Sequence, residues 1–255
     1  MIGRRSVASG ASSRARWGAL GGRVEGLREA KPWPAPGADE ARWPGSHAAV
    51  LASYEEEGGG GAWMAGDPLG APGAGGGRVV GCRGNPRARI AVVGEAPGAD
   101  EDREGKPFVG RAGKLLDAVF EKGGGFDMET HVCVTNLVKR RPPGNRDPTP
   151  EELAFYTPRL RHELRLLAPD LICVAGRFAM AAVLGVPPSG ITKLRGTWWG
   201  VDLGGGVHAL AMPLFHPSYL LRNPQWDEGS PKDLTLGDIV EFRRVAELLA
   251  PPGVG

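Results

Sequence analysis

Cysteine is scarce in this chain. Its 255 residues include only Cys82, Cys133 and Cys173, and no two of them form a CxxC pair. An odd number of widely spaced cysteines gives no disulfide framework and no linear metal-ligand motif. Cys133 and Cys173 lie inside apolar runs, so we expect them to be small core residues, and we expect the protein in a reducing cytoplasm. Long apolar runs are also missing: none approaches the roughly 18 residues that span a bilayer, so we expect no association with a membrane.

Strong net charge is absent as well. The 31 Lys and Arg against 29 Asp and Glu leave a net charge of +2, so any nucleic-acid surface must come from local clustering of basic side chains. No acidic residue precedes Glu25, whereas five arginines do. We interpret residues 1–40 as a disordered basic arm. An organelle transit peptide is the alternative that such a beginning leaves open.

Glycine and proline, in contrast, are abundant, at 41 and 23 residues. This is well above average usage, and the excess lies in the N-terminal third and in loops. The pattern predicts three parts: the arm at 1–40, a helix followed by a glycine-rich insert at 41–77, and a globular domain at 78–250.

Within the globular domain, short apolar runs alternate with segments of helical periodicity. The runs predict buried strands at 89–93, 131–139, 171–176 and 207–215. Continuous apolar strands separated by helices predict a parallel sheet that is covered on both faces. Ligands bind beyond the carboxyl ends of such strands. The polar residues that follow these runs are therefore expected to converge.

The first strand end carries the densest group of acids, in the stretch GEAPGADEDREGKPFVG at 94–110. Its glycines and proline predict a tight turn that a ligand can approach closely. One or two of the carboxylates can position water as a general base or stabilise a developing cation. Alternatively, the acids only solubilise the loop or cap the next helix. Phe108 is either a plug for the core or a stacking platform for a planar ring.

Polar residues also follow the second and fourth runs. Asn136 either forms a turn or hydrogen-bonds the edge of a ligand that carries both a donor and an acceptor, because its amide both donates and accepts. His216 opens the segment HPSYLLRNP. We expect Leu220 and Leu221 to lie in a loop that ends with Arg222, where they suit a wedge that enters a base stack while Arg222 holds a phosphate. The basic segment KRRPPGNR at 139–146 is either a solvated surface or a strip of phosphate contacts.

Three segments, in this order, resemble the motifs of the family 4 uracil-DNA glycosylases of the uracil-DNA glycosylase superfamily. They are GEAPGADEDREGKPFVGRAGKLLD, VTNLVKRRPPGNRDPTPEE and HPSYLLRNP. The resemblance extends from Arg78 to Leu249. It implies a three-layer αβα sandwich around a four-stranded parallel sheet, with a flipped-out uracil at the strand ends. It also implies a monofunctional glycosylase that hydrolyses the N-glycosidic bond of deoxyuridine in DNA and leaves an abasic site.

The resemblance implies a role for each motif residue. Glu101 would activate water, and Glu95 belongs to the same catalytic loop. His216 would stabilise the departing base. The residues expected against uracil are Ala96, Phe108, Asn136 and His216. The residues expected against DNA are Arg140, Arg146, Ser218, Leu220, Leu221 and Arg222. Carboxylates on the sugar side and donors on the base side would stabilise opposite charges as one bond breaks.

One departure from the family concerns its [4Fe–4S] cluster, which four cysteines bind. The first cysteine here is Cys82, so the N-terminal pair is missing, and Arg140 and Tyr156 occupy the other two positions. We therefore expect no cluster, no other cofactor and no metal. The loop between these two positions should be held by packing of Phe155 and Tyr156 or by an acid that pairs with Arg140. The insert at 57–77 would replace the N-terminal cluster arm.

Other functions remain open on the sequence alone. One is a glycosylase for hypoxanthine, xanthine or thymine, a choice that Ala96 and Asn136 would decide. Another is a protein that binds uracil or abasic DNA without turnover. A nucleotide-binding enzyme is disfavoured, because the acids after Val93 would repel phosphate. The expected partner is uracil-containing DNA, single- or double-stranded, and the expected state is a monomer.

Overall fold

A computed structural model describes residues 24, 26–31, 43–55, 61–71 and 73–249. The strands are β1 (Arg28–Glu29), β2 (Arg83–Gly84), β3 (Ile90–Gly94), β4 (Val132–Asn136), β5 (Leu171–Ala175), β6 (Trp199–Gly204) and β7 (Val207–Leu214). The helices are α1 (His47–Glu55), α2 (Ala99–Glu104), α3 (Arg111–Val119), α4 (Pro150–Leu167), α5 (Arg177–Leu184), α6 (Ile191–Leu194), α7 (Pro217–Arg222) and α8 (Pro231–Leu249). None of these helices has the length and apolarity that crossing a membrane requires.

The strands form one sheet in the order β1-β6-β7-β5-β3-β4-β2. Its centre is parallel, because β7, β5, β3 and β4 pair in the same direction. This confirms the predicted four-stranded parallel sheet. Two further strands are antiparallel to their neighbours, β2 to β4 and β6 to β7, and β1 is parallel to β6.

Both faces of the sheet are buried. Every residue of β3, β4 and β5 is buried, and alternate side chains of one strand enter two different apolar clusters. Ala91 and Val93 join the cluster that contains α4 and α5. Ile90 and Val92 join the cluster that contains α3 and α8. The sheet is therefore the middle of three layers, which confirms the αβα sandwich.

The start of α4 follows directly from its sequence. Thr149 accepts a hydrogen bond from the Glu152 backbone N–H at 3.2 Å, and the Glu152 carboxylate accepts one from the Thr149 N–H at 2.9 Å. Pro150 occupies the first helical position, where no hydrogen-bond donor is needed. This capping box fixes the position at which the loop at 142–149 enters the helix.

The described N-terminal residues pack on the same core as the rest of the chain. Within the predicted basic arm, Arg28–Glu29 pairs with Trp199 and Gly200 of β6. In the segment predicted as helix and insert, α1 places Val50 and Tyr54 in the cluster beneath α4. Residues 1–23, 25, 32–42 and 56–60 lie outside the described residues.

Candidate active site

A cavity of about 240 Å³ lies at the carboxyl ends of the parallel strands. The loop after β3, the last residue of β4, the segment after β7 and the loop at 142–146 form its walls. The polar strand ends therefore meet, as the topology predicts. Eight predicted site residues line the cavity: Glu95, Ala96, Glu101, Phe108, Asn136, Arg146, His216 and Ser218.

Glu101 is fixed at the cavity wall by backbone donors. It lies on the short helix α2 and is buried. Its Oε2 atom accepts the Gly98 N–H at 3.0 Å and its Oε1 atom accepts the Gly110 N–H at 2.8 Å. The carboxylate thus ties the start of the acidic loop to its end. Gly98 and Gly110 are the N-cap residues of α2 and α3, so this carboxylate also holds the starts of two helices.

Glu95 is half-buried at the start of the same loop and also lines the cavity. Burial and the nearby Asp147 carboxylate raise the pKa of Glu95 to about 7, while Arg177 opposes the shift. A carboxylate that changes charge near neutral pH is suited to accept a proton from water.

The Phe108 ring packs across the end of β3. Its backbone has a left-handed φ of 56°, a costly conformation for a residue with a side chain, and one that clusters at functional sites. The ring centroid lies 6.1 Å from that of His216. A Cβ atom on Gly94 would come within 2.2 Å of Phe108 Cζ and 2.4 Å of Asn136 Oδ1. Glycine at position 94 therefore permits the ring and the amide to meet.

Arg83 of β2 holds the Phe108 loop, and the sequence interpretation missed it. Its Nε atom donates to the Pro107 carbonyl oxygen at 2.9 Å, and Nη2 donates to the Phe108 carbonyl oxygen at 3.4 Å. The guanidinium also pairs with Asp117 of α3. A two-residue edge strand has no recognisable pattern, so no local signal identified this residue.

Asn136 lines the cavity and carries a buried acceptor that is unsatisfied. The side chain is 1% exposed, and its Oδ1 atom has no hydrogen-bond partner among the described residues. A buried acceptor without a donor costs about 1–3 kcal/mol. A ligand N–H group at this position would remove that cost.

His216 is oriented by the residue two positions later. Its Nδ1 atom accepts the Ser218 backbone N–H at 3.2 Å and lies 2.8 Å from Ser218 Oγ. Because Nδ1 accepts, the ring proton is on Nε2. Burial and the nearby Arg222 lower the pKa of His216 to about 4, while Glu101 opposes the shift. The imidazole is therefore a neutral donor at neutral pH.

Two residues expected against DNA are placed elsewhere. Arg140 is only 13% exposed, and its guanidinium is held by Asp67 and by the Gly77 carbonyl oxygen. Leu220 is 2% exposed, because HPSYLLR forms helix α7 and not a loop. Adjacent residues of a helix point in different directions, so Leu220 enters the core while Leu221 stays half-exposed. The burial of both side chains argues against the DNA contacts expected from the sequence.

Two other basic residues expected against DNA, Arg146 and Arg222, are more exposed than Arg140. Arg146 is 41% exposed and makes a paired contact with Glu152, with N–O distances of 2.6 and 2.9 Å. Arg222 is exposed at the end of α7, close to Ser218 and Leu221 along the chain. Arg146 lines the cavity, and Arg222 is close enough to His216 to influence its pKa.

Comparison with known proteins identifies the family. Residues 83–239 match the uracil DNA glycosylase superfamily. The chain belongs to this superfamily. A type-4 uracil-DNA glycosylase of Thermotoga maritima is 44% identical over 145 residues, which are 57% of this chain and 72% of that protein. A type-4 enzyme of Sulfurisphaera tokodaii is 36% identical over 172 residues, 66% of this chain and 74% of that protein.

The residues of this superfamily member do not fit an iron–sulfur cluster. Such a cluster is held by four ligands, usually thiolates, and the chain has three cysteines. The resemblance places two of the cluster ligands at positions 140 and 156. Arg140 and Tyr156 occupy these positions, and Asp67 forms hydrogen bonds with both. Its Oδ2 atom accepts Arg140 Nε–H at 2.7 Å and its Oδ1 atom accepts the Tyr156 hydroxyl at 2.5 Å. The expected acid partner of Arg140 is confirmed, and it comes from the insert at 57–77.

Proposed function

We propose that this protein is a uracil-DNA glycosylase that hydrolyses the N-glycosidic bond of a flipped-out deoxyuridine and leaves an abasic site. The observation that carries the proposal is the unpaired Oδ1 atom of Asn136 in a cavity that also contains Phe108, Glu95 and His216. These groups supply, in one place, base recognition, a proton acceptor and a donor for the departing base.

Recognition of uracil follows from hydrogen-bond polarity. The Asn136 Oδ1 atom would accept the N3–H of uracil. Cytosine presents an acceptor at N3, which would leave two acceptors facing each other and the buried oxygen still unpaired. Phe108 would stack on the ring, and Ala96, which lines the same cavity, would lie against the base edge.

Bond cleavage produces a cationic sugar and an anionic base. The Nε2–H of neutral His216 would donate to uracil O2, where negative charge develops. A neutral donor retains its proton and stabilises the anion through the hydrogen bond alone.

The two carboxylates would act on the sugar side. We assign proton acceptance from water to Glu95, whose pKa of about 7 suits that task. Glu101, fixed by two backbone N–H groups, would stabilise the cationic sugar. The resemblance favours Glu101 as the water activator, and the pH dependence of Gln variants separates the two assignments.

DNA would be held at the rim of the cavity. Arg146 and Arg222 would contact phosphates, Ser218 would orient His216 and approach the backbone, and Leu221 would pack against the opened base step. We propose that the protein acts as a monomer on single- or double-stranded DNA.

Excision of uracil tests the function. End-labelled oligonucleotides with uracil, unpaired or opposite G or A, are incubated with the protein and treated with alkali. Matched oligonucleotides carry hypoxanthine, xanthine or thymine. We expect cleavage at uracil alone. Loss of excision in Asn136→Ala, with retention in Asn85→Ala at the opposite end of the sheet, would assign the activity to the cavity.

The same experiment can overturn the proposal. Cleavage at another deaminated base and not at uracil would indicate altered specificity. No cleavage, combined with a retained mobility shift on uracil-containing or abasic DNA, would indicate a binding protein without turnover.

A further inference from the structure

A second group of reactive side chains lies away from the cavity, where β2 pairs with β4. His47 comes from α1, Cys82 immediately precedes β2, and Cys133 belongs to β4. Their ligand-capable atoms all lie within 4.8 Å of one another. The sequence gives no sign of this group, because the three residues are far apart along the chain. All of the cysteines are free.

Two thiolates and one imidazole form a ligand set that suits Zn²⁺. In a tetrahedral site, Zn–S and Zn–N bonds of about 2.3 and 2.0–2.1 Å separate neighbouring ligand atoms by about 3.5–3.8 Å. The Sγ atom of Cys82 already lies 4.0 Å from Nε2 of His47. Contraction of less than about 1.5 Å between any two ligand atoms would form the site, a change within the range of side-chain rotation.

Glu163 is an acid beside this group that would serve as the fourth ligand after moving toward the two thiols, because it is not among the residues whose ligand atoms all lie within 4.8 Å. Oε1 of Glu163 lies 3.9 Å from His47 Nε2. The carboxylate is fully buried and is held by Thr135, whose hydroxyl donates at 3.2 Å, and by the Lys139 ammonium at 2.5 Å. Support of a ligating carboxylate by hydrogen-bond donors is usual at metal sites.

Charge in this buried region also permits a divalent cation. Two thiolates would neutralise Zn²⁺, and Glu163 is already balanced by Lys139. The ion would therefore add no net charge to the core. Cys82 is half-buried while His47 and Cys133 are buried, so an ion can enter from the Cys82 side.

We propose that His47, Cys82, Cys133 and Glu163 bind one Zn²⁺ ion. Binding releases the thiol protons and leaves the imidazole neutral, so the ligand set becomes Cys₂HisGlu. The ion would connect α1 to the sheet edge formed by β2 and β4. The strand β4 ends in Asn136. This site is separate from the cavity and from the positions of the family's cluster cysteines.

Metal titration of the full chain tests the proposal. Protein stripped of metal and kept reduced with a phosphine is titrated with Co²⁺. We expect the visible bands of tetrahedral thiolate-bound cobalt to saturate at one ion per chain. Added Zn²⁺ should then displace the cobalt, and Tm should rise with Zn²⁺ concentration.

Variants locate the ion. Cys82→Ser should abolish the cobalt bands and the rise in Tm, whereas Cys173→Ala, at a buried thiol in the other core cluster, should retain both. If Cys82→Ser does not fold by circular dichroism, His47→Gln serves as the second ligand variant. Saturation by cobalt in the ligand variants, absence of thiolate bands in the wild type, or a Cys82–Cys133 disulfide that persists under the reductant would overturn the proposal.

Discussion

The carboxylate of Asp67 lies 2.7 Å from the Nε atom of Arg140, and this ion pair joins the N-terminal segment to the loop that leads to the cavity. The same carboxylate accepts the hydroxyl of Tyr156 on α4. Both carboxylate oxygens accept hydrogen bonds and Asp67 is buried. The contact is therefore a buried structural interaction and not a surface ion pair.

Loss of the interaction of Asp67 with Arg140 and Tyr156 should destabilise the fold. Asp67→Asn leaves the Arg140 guanidinium without its counter-charge, so we expect the free energy of unfolding to fall by about 3 kcal/mol. Urea denaturation measures the loss. Asp227→Asn, at an exposed position, is the matched control and should change stability by less than about 0.5 kcal/mol.

A double-variant cycle separates the ion pair from simple loss of a side chain. Asp67→Asn combined with Arg140→Met removes both charges, and its loss should be smaller than the sum of the single losses. Additive losses would show that Asp67 and Arg140 do not act together.

The pH dependence of excision should report Glu95. Its raised pKa means that the carboxyl group is protonated below about pH 7 and becomes a base above it. We expect kcat to rise through that pH in the wild type. Glu95→Gln should lower kcat by about 10²–10⁴-fold and remove the rise. If Glu101→Gln removes the rise and Glu95→Gln keeps it, the roles of the two acids are reversed.

His216 should act without becoming charged. Its lowered pKa of about 4 predicts no loss of excision attributable to its ionisation between about pH 5 and 9. His216→Ala removes the donor to the departing base and should lower kcat by about 10²–10³-fold with little change in stability. His131→Ala, at the exposed opposite end of the sheet, should leave single-turnover excision rates unchanged.

Gly94 should be intolerant of even a methyl group. In Gly94→Ala the new Cβ would clash with the Phe108 ring and the Asn136 amide, so we expect loss of excision and of base binding. Gly237→Ala is the control, since nothing lies within 4 Å of its Cβ position on α8, and alanine there should stabilise the helix by up to about 1 kcal/mol. Normal excision by Gly94→Ala would contradict the stacking role of Phe108.

Sequence patterns predicted the elements with strong local signals. The apolar runs gave β3, β4, β5 and β7 because fully buried strands are continuous in apolarity. The Thr149 capping box fixed the start of α4. The convergence of Asn136 and His216 followed from the rule that parallel strands end at one edge of a sheet.

Contacts between distant segments were not predictable in the same way. The partner of Arg140 was expected only as an unnamed acid, because the sequence does not show which acid of the chain the fold brings to Arg140. Arg83 and the His47–Cys82–Cys133 group likewise depend on pairing across the sheet. Leu220 is buried because the segment after His216 forms a six-residue helix, which its sequence does not distinguish from a loop.

The position of β1 constrains the order in which the chain can fold during synthesis. Arg28–Glu29 pairs with Trp199–Gly200, so this N-terminal strand has no partner until most of the chain has left the ribosome. Pairing across such a separation in sequence is slow. The parallel centre can assemble first, and β1 would then join its edge as one of the last steps.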